Sequence, residues 1–118
     1  MRRRVNVQRK PLTTDNWPMP NQLLYLIVPP AAEDVVAEWL LERDDVPGFT
    51  SVPVSGHGSS ERSMTLAEQV AGRSRRVMFF IHLPTPAATS VLAALRGEFS
   101  GSGIHYWQVP VQEYGRLE

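Results

Sequence analysis

The order of apolar and amphipathic segments predicts an α+β fold, β-α-β-β-α-β. Two observations carry that expectation. Four short apolar runs recur along the chain, and the first and third are each followed by a stretch whose apolar residues return at helical spacing. Two copies of one β-α-β unit close most simply as a ferredoxin-like antiparallel sheet, ordered 4-1-3-2 with both helices on one face.

The elements are expected as follows. QLLYLIV (22–28) reads as a strand stopped by Pro29-Pro30. AAEDVVAEWLLER (31–43) reads as a helix, with Glu33 and Asp34 in its electropositive first turn and Val35, Val36, Trp39 and Leu40 as its apolar stripe. FTSVPVSG (49–56) is a second strand, which Pro53 assigns to a sheet edge because it lacks a ladder N–H. In the long connection over 57–74, TLAE (65–68) has capping-box spacing and Gly72 can stop a short helix at 66–71. RRVMFFIHL (75–83) is the third strand. Thr85 and Pro86 suit the N-cap and first position of a helix over 86–98, with Ala88, Val91, Leu92, Leu95 and Phe99 on one face. IHYWQVPV (104–111) is the fourth strand.

One feature reaches beyond a single chain. A sheet with one wet face alternates apolar and polar residues. The first strand instead puts Leu23, Tyr25 and Ile27 on one side and Leu24, Leu26 and Val28 on the other; the third puts Met78 and Phe80 opposite Val77, Phe79, Ile81 and Leu83. Two helices cover one side, so the other predicts an oligomer.

The chain has 118 residues, 42% of them hydrophobic, and no cysteine. One soluble domain is expected, without disulfides, thiolate metal ligands or thiol chemistry. The longest apolar run, 23–28, is far too short for a membrane span, and no apolar stretch follows the basic start as in a signal peptide, so the expectation is cytoplasmic. The zero net charge is uneven. Residues 1–20 hold five basic side chains against Asp15 and read as a flexible basic arm; residues 21–118 hold seven arginines, eleven acids and no lysine, and read as a single domain.

Chemistry-bearing residues gather at the connection after the second strand. Gly56, His57, Gly58 and Ser59 are followed by Arg62, Arg73, Arg75 and Arg76. Glycines let backbone N–H groups approach an anion, and guanidinium forks suit phosphate or carboxylate; a solvated, charge-protected loop is the alternative. His57 and His105 are expected at the same end of the sheet on opposite outer strands, roughly 14 Å apart within a chain. They are candidate metal ligands only across a subunit boundary. No nucleophile with an orienting base and no Gly-Lys-Thr phosphate loop occurs, so no catalytic residue is assigned and a non-enzyme is expected. Nor does the sequence name a cofactor. RSRRVMFF has the basic and aromatic character of an RNA-recognition strand but lacks its Gly-Phe core, which argues against nucleic acid.

GFTSVPVSGHG (48–58) and WQVPVQEYGR (107–116) resemble two stretches of the nitrogen-regulatory PII-like proteins. GHG, LAEQVAGRSRRV, IHYWQVPV and the late Gly115-Arg116 are similar to an uncharacterised PII-like subfamily associated with heavy-metal cation efflux systems. The resemblance implies a homotrimer with effector clefts between subunits. It also implies a loop after the second strand that contacts a partner such as a membrane cation efflux transporter. The effector would be a nucleotide, another small molecule or anion, or a metal ion, held by Gly56, His57, Gly58, Ser59, Arg62, Arg73, Arg75 and His105. Two departures stand out: Ser59-Ser60 replace Arg-Gln, and Ser102-Gly103-Ile104-His105 replace Gly-Asp-Gly-Lys. The alternative is direct divalent-metal binding, as in CutA-type tolerance proteins of the same architecture.

Overall fold

The computed structural model describes residues 20–58, 66, 68 and 73–118. Four strands form one sheet: β1 (Asn21–Val28), β2 (Thr50–Gly56), β3 (Ser74–Pro84) and β4 (His105–Pro110). Their order across the sheet is β2-β3-β1-β4 and every neighbouring pair is antiparallel, the expected ferredoxin-like closure. Two helices, α1 (Glu33–Leu41) and α2 (Thr85–Glu98), supply the second layer.

Strict period-two burial divides the sheet. Leu24, Leu26 and Val28 of β1, with Val77, Phe79, Ile81 and Leu83 of β3, are buried against Val36 and Leu40 of α1 and Ala88, Val91, Leu92 and Leu95 of α2. Their neighbours Leu23, Tyr25 and Ile27, and Met78 and Phe80, lie on the opposite face and are only half-buried. The chain thus builds one core and leaves a second apolar surface without a covering layer among the described residues. Pro53 lies on edge strand β2, paired with Val77.

Both helices differ locally from expectation. Pro30–Ala32 forms a 3-10 turn ahead of α1, and α1 ends at Leu41, two residues early. Val35 is 56% exposed, because the narrow face that meets the sheet holds only Val36 and Leu40, with Ala37 and Trp39 beside it. Thr85 does not cap α2. Its Oγ1 accepts a hydrogen bond from Gln22 Nε2 at 3.2 Å and its N–H donates to the Pro20 carbonyl at 2.9 Å, so the residue ties α2 to the start of β1. Pro84 takes the cap position without a side-chain bond.

Residues 66 and 68 are helical; the rest of the expected helix 66–71, and residues 1–19 of the basic arm, lie outside the described residues. Among the described residues no helix is long and apolar enough to cross a membrane.

Candidate functional site

The end of β2 and the start of β3 bring most of the candidate residues together. Gly56 pairs with Ser74, Ser55 with Arg75 and Val54 with Arg76. The approach at Gly56 is close: a Cβ there would meet Ser74 Oγ at 2.9 Å. Ser74 is buried, so the hydroxyl occupies space that any larger residue at position 56 needs. His57 and Gly58 continue outward, exposed. Ser59 and Arg62 lie outside the described residues.

The connection returns through Glu68. The Arg73 N–H donates to the Glu68 carbonyl at 3.2 Å, and the Arg75 N–H donates to Glu68 Oε2 at 2.6 Å. The Arg73 and Arg75 residues are exposed; Arg76 is half-buried and its Nη1 donates to the Arg75 carbonyl at 2.7 Å. Beside them an open cleft of ≈ 470 Å³ is lined by Pro30, Pro53, Val54, Ser55, Arg75 and Arg76. Three guanidinium groups within four residues, next to a glycine-flanked strand end, make this edge suited to an anion. Sequence reasoning passed over Glu68 as part of a helix cap. The run of arginines a few residues later was the available signal for its second role.

His105 is apart from this cluster. It pairs with Ile27, which pairs with Met78, which pairs with Val52. That row meets β2 five residues before His57. Three strand spacings across and five residues along put the two histidines on the order of 20 Å apart in one chain, farther than the strand count alone implied. An ion shared by them has to come between subunits. Among the described residues no group of three or more metal-ligating side chains is assembled. His82, at the far end of β3, faces Tyr114 with ring centroids 4.5 Å apart; its Nε2 is buried without a hydrogen-bond partner among the described residues.

The architecture is that of the PII-like and CutA proteins. CPII, a nitrogen-regulatory PII-like protein from Thiomonas intermedia whose structure is bound to ADP, AMP and bicarbonate, superposes with a TM-score of 0.62 at 21% identity, over 83% of this chain and 97% of that one. The periplasmic divalent cation tolerance protein CutA from Archaeoglobus fulgidus superposes with a TM-score of 0.61 at 12% identity, over 81% and 88%.

Within that architecture the chain belongs to the family described as protein of unknown function DUF3240, whose family model matches residues 19–118. A DUF3240 family protein from Shewanella baltica has a TM-score of 0.68 and 25% identity, over 84% of this chain and 98% of its own. No curated protein matches the chain in sequence.

Proposed function

We propose that this protein is a non-enzymatic PII-like regulator. It forms a homotrimer, takes a small anionic effector at the clefts between subunits, and alters its hold on a partner through the connection between β2 and β3. The observation that carries this reading is the arginine cluster at the start of β3, where Arg75 and Arg76 line a cleft with Val54 and Ser55 and Arg73 immediately precedes the strand. The ligands held by CPII on the same fold, two nucleotides and bicarbonate, are all anions. The second apolar sheet face supports self-association, because a face carrying Tyr25, Phe80 and Trp107 gains by leaving water.

The clip at Glu68 supplies the switch. An anion at Arg75 competes electrostatically with the Glu68 carboxylate that accepts the Arg75 N–H, so occupancy biases the connection between two arrangements. A ligand can shift that equilibrium only by its differential affinity for the two. The partner is a heavy-metal cation efflux transporter, as the resemblance of the GHG and IHYWQVPV stretches implies, and the setting is cytoplasmic.

Native mass spectrometry of the full chain with ADP, AMP, bicarbonate, zinc and copper(II) tests this. The expected species is a trimer taking up three equivalents of an anionic ligand, with uptake lost in the Arg73→Ala/Arg75→Ala variant. A monomer under every condition overturns the reading. Uptake of metal alone, lost in His57→Ala and His105→Ala, replaces it with direct divalent-metal binding between subunits.

A further inference from the structure

A second cleft, of ≈ 390 Å³, lies on the helix side of the sheet between the end of α2 and the start of β4. Its floor is Leu26, Leu92 and Leu95, and Phe99 and Ile104 extend the apolar lining; Arg96 and Tyr106 also border it. The loop that closes one end turns on Gly101 and Gly103, at φ 80° and 81°. Their surroundings are open: a Cβ at Gly101 would meet nothing within 4 Å, and one at Gly103 only Pro29 Cγ at 3.8 Å. The glycines are therefore required by the left-handed backbone rather than by crowding.

Arg96 is the informative residue. It lies in the last turn of α2, where a cation complements the helix dipole. That role needs no particular direction of the side chain, yet the guanidinium reaches β4. Its Nε and Nη2 both donate to Tyr106 Oη, at 3.3 and 3.0 Å, and its Cζ is 5.5 Å from the centre of the tyrosine ring. A guanidinium offers a planar fork that matches the two oxygens of a carboxylate. Here both donors converge on one neutral phenol oxygen. Arg96 enters neither the Arg43–Asp45 nor the Arg116–Glu118 ion pair, and among the described residues it has no carboxylate partner.

An apolar floor with one arginine fork at its mouth defines a ligand class. We propose that the cleft binds a small monocarboxylic acid with an apolar body, its carboxylate held by Arg96 and the Tyr106 hydroxyl and its body resting on Phe99, Ile104 and the exposed edges of Leu92 and Leu95. Among the described residues Arg96 is the one cationic residue in the lining, which gives a second carboxylate or a polyphosphate nothing there to pair with. The site shares no residue with the arginine cluster of β3 and does not depend on the function proposed above.

The test is a ¹H–¹⁵N titration of the full chain with 3-phenylpropionate, octanoate and the neutral analogue 3-phenylpropanol. The acids are expected to shift the amides of Gly101, Gly103 and Ile104 and the Arg96 Nε–H saturably. The alcohol is expected to bind about ten-fold more weakly than 3-phenylpropionate, the worth of a charge-assisted fork. Arg96→Ala, a surface change, removes that discrimination while amides outside the cleft keep their positions; Arg96→Lys retains part of it. Equal affinity for 3-phenylpropionate and the alcohol in the unaltered protein overturns the proposal. So does the absence of saturable shifts at these residues with both acids, or shifts confined to another region.

Discussion

Tyr25 stacks on Trp107 across the β1–β4 pair, with ring centroids 5.3 Å apart and planes 21° from parallel, on the sheet face opposite α1 and α2. Phe80 flanks Tyr25 on the other side at 6.1 Å, so one aromatic row crosses three strands. Trp107 is still 45% exposed within the chain. Such a row leaves apolar area in water that a second copy can remove.

A carboxylate in that row should keep the protein apart. Phe80→Asp is expected to leave the fold intact, because Phe80 lies outside the core cluster, and to convert the proposed trimer to monomer. Sedimentation equilibrium at micromolar concentration checks it: an unaltered protein that sediments as a monomer, or a Phe80→Asp variant that still assembles, contradicts the role given to this face.

The packing at the base of the β2–β3 connection predicts a non-additive pair. Gly56→Ala places a methyl group 2.9 Å from Ser74 Oγ and is expected to destabilise the fold by about 1 kcal/mol. Ser74→Ala removes the obstructing oxygen, so the double variant should recover most of that loss, a coupling between touching residues. Urea unfolding of the four proteins measures the cycle. Additive effects would mean that the close approach at Gly56 is not what limits the position.

Much of the fold was legible because its strands state their pairing. Nearly unbroken apolar runs in LLYLIV and VMFFIHL mark both faces of the two central strands, Pro53 marks an edge, and the repeated β-α-β order leaves few closures. Local chemistry was less legible. Thr85 has the right type and place for a cap, but Gln22, 63 residues away, takes its hydroxyl. Val35 sits at helical spacing, but the width of the contact between α1 and the sheet is set by the sheet. Of the candidate site, the Gly56–Arg75 edge followed from strand pairing. The offset of His105 depended on register, which a strand count does not contain. Glu68 and the Arg96–Tyr106 contact depend on side-chain directions across elements, for which periodicity has no signal.

The core makes a direct stability prediction. Phe79 is 1% exposed at the centre of β3 and lies against Phe49, ring centroids 5.6 Å apart. Phe79→Ala should cost about 3–5 kcal/mol, from lost burial and the cavity left behind. Neighbouring Phe80→Ala, on the open face, should cost the isolated chain much less. Denaturant midpoints under dissociating conditions compare them; equal losses would mean that the two faces are not distinguished as the alternation requires.

A pH prediction follows from the turn after α1. Arg43 Nε and Nη2 donate to the two carboxylate oxygens of Asp45 at 2.9 and 2.8 Å, and the guanidinium also lies 4.9 Å from the centre of the Trp39 ring. The hydrogen bonds from Arg43 hold the Asp45 carboxyl below its ordinary value of 3.8, and Asp45 in turn raises Arg43, which stays charged throughout the accessible range. A depressed acid pKa stabilises the fold when the group is ionised. The contribution is therefore full above the unfolded value near pH 4 and disappears as pH falls through the lower folded value. Asp45→Asn removes the charge while sparing the Arg43–Trp39 contact. The unaltered protein should exceed this variant by up to about 1 kcal/mol at pH 7, small because the pair is partly solvated, and the gap should close towards pH 2.5 and shrink in high salt. Urea midpoints of both proteins across that range measure it, and a gap that stays constant down to pH 2.5 would assign the difference to shape or solvation rather than to the ion pair.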